Sequence, residues 1–296
     1  MKLLALALLA LTTVVSARNI NLEDVIDLED NTAYGYLTKI GQPLAEKIRK
    51  AEEEASQSRI VGGSPASIGQ FPYQAGLLAD LPGGAGVCGG SLLNARRVIT
   101  AAHCWFDGVN QARSFTIVLG SITLFTGGTR IFSNTVLIHE YWNPALTRND
   151  VAMINLHNPV SMSSTISPIA LPAMDETGST FVGRNAIVSG FGITRDGNSI
   201  TTNQSLNHVS MTVITNAECT RTYPEIIRFN NLCAIGENGR NACIGDTGGP
   251  LTTIGLNARR ILIGIYSFGS NRGCGAGAPA GFARINSFLG WIYLRL

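Results

Sequence analysis

Lysine is missing from everything after residue 50; Lys2, Lys39, Lys47 and Lys50 are the chain's full complement. The 237 residues from Ile60 to Leu296 carry 15 arginines against 11 acidic residues, a net of +4, whereas residues 18–59 carry 6 basic and 9 acidic, a net of −3. Lysine begins to neutralise near about 10.4, and arginine stays protonated well beyond that. A lysine-free surface therefore keeps its charge in strongly alkaline fluid. Its arginines are dispersed rather than clustered, which excludes the basic patch expected of a nucleic-acid binder. Cysteine is absent before Cys88, so nothing in residues 18–59 can be tethered through sulfur. Long apolar runs are absent beyond the N-terminus, which excludes an internal membrane anchor.

That N-terminus is itself informative. Met1-Lys2 is a short basic start, Leu3 to Val15 is nearly all apolar, and Val15-Ser16-Ala17 is small. A run of about 13 residues is too short for the ~20 that span a bilayer, and the pattern predicts a secretory signal over 1–17. Six cysteines follow, Cys88, Cys104, Cys219, Cys233, Cys243 and Cys274. An even number in an exported chain reads as disulfides, in any of 15 connectivities. Zinc is not supported, because there is no C-x-x-C or His-x-x-x-His spacing.

Residues 44–55 are rich in Ala, Glu, Lys and Leu, which predicts a helix; its Lys/Glu alternation reads as a solvated surface. After Ile60 the texture changes to glycine-punctuated β-branched runs: 115–119, 135–138, 186–189 and 261–265. These predict an all-β sandwich or barrel, and pattern alone does not separate the two. Phe288, Leu289, Ile292 and Leu296 recur at helical spacing, predicting a C-terminal helix over 285–296.

Four motifs carry chemistry. Ile60-Val61-Gly62-Gly63 follows Arg59; Thr100-Ala101-Ala102-His103-Cys104, Asn149-Asp150-Val151-Ala152 and Gly245-Asp246-Thr247-Gly248-Gly249-Pro250 come after it. In this order and spacing they resemble the chymotrypsin-family serine proteases over residues 60–296. The lysine-free domain and Gln70-Phe71-Pro72-Tyr73-Gln74 make it similar to insect gut chymotrypsin-like proteins. The resemblance implies two packed antiparallel six-stranded β-barrels, about 60–175 and 176–284, with the C-terminal helix. It also implies pairings Cys88–Cys104, Cys219–Cys233 and Cys243–Cys274, a propeptide over 18–59, and cleavage after Arg59 by a trypsin-like protease.

The same resemblance implies His103 as general base, Asp150 as its orienter, and Gly245 and Thr247 as backbone donors of the oxyanion hole. The Ile60 ammonium freed by cleavage would pair with Asp246. Asn241 would floor a neutral specificity pocket walled by Gly269 and Ala280, suited to large apolar side chains. Ser267-Phe268-Gly269 would pair with substrate backbone, with Ser267 also supporting Asp150. No acidic residue lies between Asp107 and Glu140, across the family's calcium loop, so no metal is expected there; no cofactor is implied. Asn203-Gln204-Ser205 fits a glycosylation acceptor.

The departure is Thr247, where the family has serine. Its extra methyl restricts χ1, and a displacement of about 1 Å can cost ~10²-fold. The first reading is a secreted, monomeric homologue with impaired or absent hydrolysis that binds peptide segments or protease inhibitors. The second is an active digestive endopeptidase, using Thr247 as nucleophile in an alkaline gut lumen. An adhesion or immune-cofactor role has no positive support in the chain.

Overall fold

The computed structural model describes residues 31–57, 66–193, 205–236, 241–243 and 245–296. The signal sequence, Arg59, Ile60 and the Asn203 acceptor lie outside them. Seven strands form the first sheet: β1 (Gln74–Leu81), β2 (Gly84–Asn94), β3 (Arg97–Thr100), β4 (Phe115–Leu119), β5 (Thr129–Ser133), β6 (Val136–Ile138) and β7 (Ala152–Asn155). Their antiparallel order is β5-β4-β1-β2-β3-β7-β6. The second set closes into a barrel: β8 (Asn185–Gly190), β9 (Asn207–Ile214), β10 (Asn231–Gly236), β11 (Pro250–Ile254), β12 (Arg260–Phe268) and β13 (Ala280–Arg284). The second half is thus the expected six-stranded barrel. The first is a half-barrel of seven short strands, because edge strands β5 and β6 are not hydrogen-bonded neighbours.

The β-branched runs fall on β4, β6, β8 and β12. β12 is buried along nearly its whole length. That is why it reads as a continuous apolar run rather than an alternation. The β1–β2 hairpin turns at Gly83 and Gly84, with φ of 95° and 145°, values that only glycine adopts without strain. A continuous core joins Leu77, Phe115 and Ile117 of the first sheet to Ile265 of the barrel. The C-terminal helix α3 spans Ile285–Tyr293 and buries Phe288, Leu289 and Ile292 on that core. It stops short of the expected 296, and Leu296 is left exposed. The short α2 (Asn216–Thr220) starts at Thr215, whose hydroxyl accepts the Glu218 N–H in a capping box. Disulfides join Cys88–Cys104, Cys219–Cys233 and Cys243–Cys274, as the resemblance implied.

The helix expected over 44–55 exists as α1 (Gln42–Gln57), entered through one wider π-turn at Leu37–Gly41. It is not solvated all round. Leu44, Ala45, Ile48, Ala51 and Glu52 are buried, while Glu46, Lys47 and Lys50 are exposed. The burial recurs every three to four residues, the signature of one helix face docked on a surface. Among the described residues, no helix is long and apolar enough to cross a membrane.

Candidate active site

His103 sits in the one-turn helix Ala102–Cys104 after β3, and the Cys88–Cys104 disulfide ties that turn to β2. Asp150 precedes β7. Its neighbour Asn149 has φ 58°, a left-handed conformation that Asn tolerates well. The Asn149 amide donates to Tyr141 O (2.8 Å) and accepts from the Asn230 amide (2.9 Å), fixing the turn. Asp150 is thereby aimed at His103. Its Oδ1 accepts the His103 backbone N–H (3.0 Å), and its Oδ2 lies 2.7 Å from the imidazole Nδ1. Ser267, from β12 of the other barrel, donates to Oδ2 at 2.5 Å. All three are buried. With Asp150 at Nδ1, the imidazole is oriented to accept a proton at Nε2.

Thr247 lies across from this pair in a turn pinned by backbone hydrogen bonds. Gly89 N–H donates to Thr247 O (2.6 Å), Gly248 N–H to Tyr266 O (2.8 Å) and Gly249 N–H to Asp246 O (2.8 Å). A Cβ on Gly248 would meet Thr100 Oγ1 at 2.3 Å and Gly89 O at 2.6 Å, so only glycine fits there. The buried His103 Nε2 has no hydrogen-bond partner, and no bond joins it to Thr247.

The pocket beside Thr247 is lined by Asn241, Ala242, Tyr266, Gly269 and Ala280. Asn241 spends its amide locally, donating to Ala278 O (2.6 Å) and accepting from Ala242 N (3.0 Å). The floor is therefore neutral and internally satisfied. Phe268 turns away from the pocket and packs edge-on against Tyr223, with ring centroids 5.3 Å apart. Its side chain thus braces the barrel.

Asp246 is buried and accepts N–H groups from Cys243 (2.9 Å) and Gly192 (3.0 Å). Burial pushes its carboxyl up to about 6, and those two donors offset part of the effect. A raised folded-state value means the folded chain holds a proton that the unfolded chain releases near 3.8. Stability from this group is therefore complete below about pH 4 and lost as pH climbs through 6. The loss is about 3 kcal/mol. Urea unfolding of the uncleaved chain from about pH 4 to 6.5 should show that extra decline relative to Asp246→Asn. Parallel profiles for the two chains would mean that Asp246 carries no such cost.

Four participants escaped the sequence reading, and three precede Ile60. The Tyr36 hydroxyl donates to Val87 O (2.9 Å) and faces the Thr247 side chain and the Gly245 N–H. Its ring stands edge-on to His103, with centroids 5.2 Å apart. Burial raises the phenol well above its ordinary value, so it stays neutral. Thr32 Oγ1 accepts the Gly269 N–H (3.1 Å), and both Thr32 and Tyr36 line the pocket beside Thr247. Glu52 accepts the backbone N–H groups of Leu124, Phe125 and Thr126 at 2.5, 2.9 and 3.0 Å. The fourth is Tyr266, which narrows the pocket from β12. The apolar spacing of Leu44, Ile48 and Ala51 was the one available signal for the docked helix; nothing marked Tyr36.

Two β-barrel-like halves joined by one core, with a buried His103–Asp150–Ser267 array spanning both, define a chymotrypsin-like scaffold. The trypsin family model matches residues 60–292, and the chain belongs to that family. Among similar proteins, a collagenase of Hypoderma lineatum is 37% identical over 81% of this chain and 88% of its own length. Serine protease 1 of Drosophila melanogaster is 35% identical over 80% and 85%, and brachyurin of Leptuca pugilator 35% over 79% and 96%. A solved structure of HL collagenase superposes with a TM-score of 0.70 at 36% identity. It covers 80% of this chain and 98% of that one. The family acts on polypeptides, and the three disulfides fit an oxidising, extracellular setting.

Proposed function

We propose that this protein is a secreted, zymogen-derived member of the family whose peptide hydrolysis is strongly impaired by Thr247, and whose cleft holds peptide segments or protease inhibitors. Residues 1–17 are the signal, 18–59 the propeptide, and 60–296 the monomeric catalytic-type domain. His103 is the base, Asp150 its orienter, and the Gly245 and Thr247 N–H groups the oxyanion hole. A trypsin-like protease cleaves after Arg59. The Ile60 ammonium then pairs with Asp246, removing the cost of an unpaired buried carboxylate. The observation that carries the reading is the rigid Thr247 turn facing an unpartnered His103 Nε2. With the backbone pinned, only side-chain rotation can place the hydroxyl, and the β-branch leaves few rotamers for it.

One observation favours a second reading, an active endopeptidase of the alkaline gut lumen: the stretch before Ile60 covers the cleft, as a restraint on a working site would. The test is to cleave the full chain with trypsin, verify Ile60 as the new terminus, and assay Phe- and Arg-containing peptide amides between about pH 8 and 11. The proposal expects almost no turnover and retained peptide binding. Rates in the ordinary range for enzymes, about 1–10³ s⁻¹, would establish the second reading. Preference for Arg over Phe would overturn the neutral pocket.

A further inference from the structure

We infer that residues 31–57 are a dissociable inhibitor of this cleft, a ligand that stays bound after the chain is severed at Arg59 and that can bind again from solution. The inference rests on cleavage at Arg59, and extends it by giving the released segment a role. Three anchors hold the segment, on parts of the domain that are far apart in the chain. At one end, Asn31 Nδ2 donates to Ala145 O (3.2 Å), its Oδ1 accepts from Thr147 Oγ1 (2.9 Å), and Thr32 takes the Gly269 N–H. In the middle, Tyr36 places its phenol at Thr247 and Gly245, and Leu37 N–H donates to the buried Asp107 carboxylate (2.8 Å). At the far end, Glu52 caps three consecutive N–H groups of the 124–126 loop.

The groups engaged are those a peptide substrate would need. Gly269 N–H follows directly on β12, in the stretch 267–269 expected to pair with substrate backbone, and Gly245 N–H would be half of the oxyanion hole. Between the anchors, Leu37, Leu44 and Ile48 are buried in the same core as the first sheet. Leu44 abuts Gly245 so closely that a Cβ there would lie 2.6 Å from Leu44 Cδ2. From Leu37 to Gln57 the segment's backbone is helical, so over that stretch its N–H and C=O groups are committed internally and cannot add to the cleft as an extended strand. Loop 124–126 has no acidic residue of its own, so Glu52 supplies the only carboxylate on those three donors. No cysteine precedes Cys88; after cleavage, only non-covalent contacts hold the segment.

The test begins with the full chain cut by trypsin, its new N-terminus sequenced, and size-exclusion chromatography at about micromolar concentration with mass spectrometry of the peak. Peptide masses that together cover residues 31–57 should co-elute with the domain. A fluorescent synthetic peptide 31–57 should then exchange onto the cleaved protein and be displaced by unlabelled peptide. Displacement should weaken about 10-fold for Tyr36→Phe, which loses one buried hydrogen-bonding group. The loss should reach about 100-fold for Tyr36→Ala and for Glu52→Ala, which strands three donors. Because the substitutions are in the peptide, folding of the domain is unaffected. Separate elution with no binding at about 100 µM peptide, or equal displacement by the native and Tyr36→Ala peptides, overturns the inference. An N-terminus other than Ile60 would sink the maturation reading alone, and the displacement series would still decide whether the segment closes the cleft.

Discussion

Thr247→Ser in the cleaved protein should raise turnover of a Phe-containing peptide amide by at least about 10²-fold. The argument is steric and local. Everything around the nucleophile position is built to hold it: Asp150 fixes the imidazole, Ser267 fixes Asp150, and three short backbone bonds fix the turn. Serine has one heavy atom on Cβ and can choose the rotamer that faces His103 Nε2. Threonine must place a methyl at the same time, either toward the incoming carbonyl or into the wall beside Cys243. A backbone adjustment of a few tenths of an ångström could relieve that conflict, but the backbone hydrogen bonds of Gly89, Gly248 and Gly249 hold the turn against it. The gain should appear in kcat with KM nearly unchanged, since the pocket and its Asn241 floor are untouched. If native and serine forms run within a factor of about three, the Thr247 methyl is harmless and the protein is a working protease.

The site was legible where chemistry is tied to short motifs. His103, Asp150, Ser267 and Thr247 come from four separate segments, and short motifs singled out each of them; the structure brings the first three into one hydrogen-bonded array. The disulfides came the same way; cysteine counting alone left 15 connectivities open. Tyr36 was illegible for a physical reason. It has no motif, lies more than two hundred residues from Thr247, and acts only through a docking that tertiary structure creates. Glu52 actively misled. A glutamate among lysines and glutamates reads as solvated, whereas its carboxylate is buried at 5% exposure on three N–H donors. The first sheet fell short of a closed barrel because closure depends on how edge strands meet, and strand patterns carry no such information. Phe268 illustrates the remaining limit: the motif placed it on the right strand but could not say which face its ring would take.

Asp150→Asn should lower kcat by about 10⁴-fold in the Thr247→Ser protein and by less than about 10-fold in the native one. In the serine form the carboxylate accepts from Nδ1, so the proton sits there and Nε2 is free to take the hydroxyl proton. An amide in its place can donate to Nδ1 instead, and the proton moves to Nε2, where it blocks base catalysis. Oδ2 also receives Ser267 and Oδ1 receives the His103 N–H. Ring position should therefore largely survive the substitution, with the loss falling on tautomer rather than fold. Groups that act as a unit are grossly non-additive when removed in turn. If Thr247 has already uncoupled the hydroxyl from the imidazole, the native protein has no cooperative unit left for Asp150→Asn to break. Residual turnover would come from the oxyanion hole and binding, which neither change touches. Four rates on one peptide amide, with segment 31–57 removed, close the cycle. An equal loss of ~10⁴-fold in both backgrounds would show that Thr247 still works through His103, and the impaired-protease reading would fall.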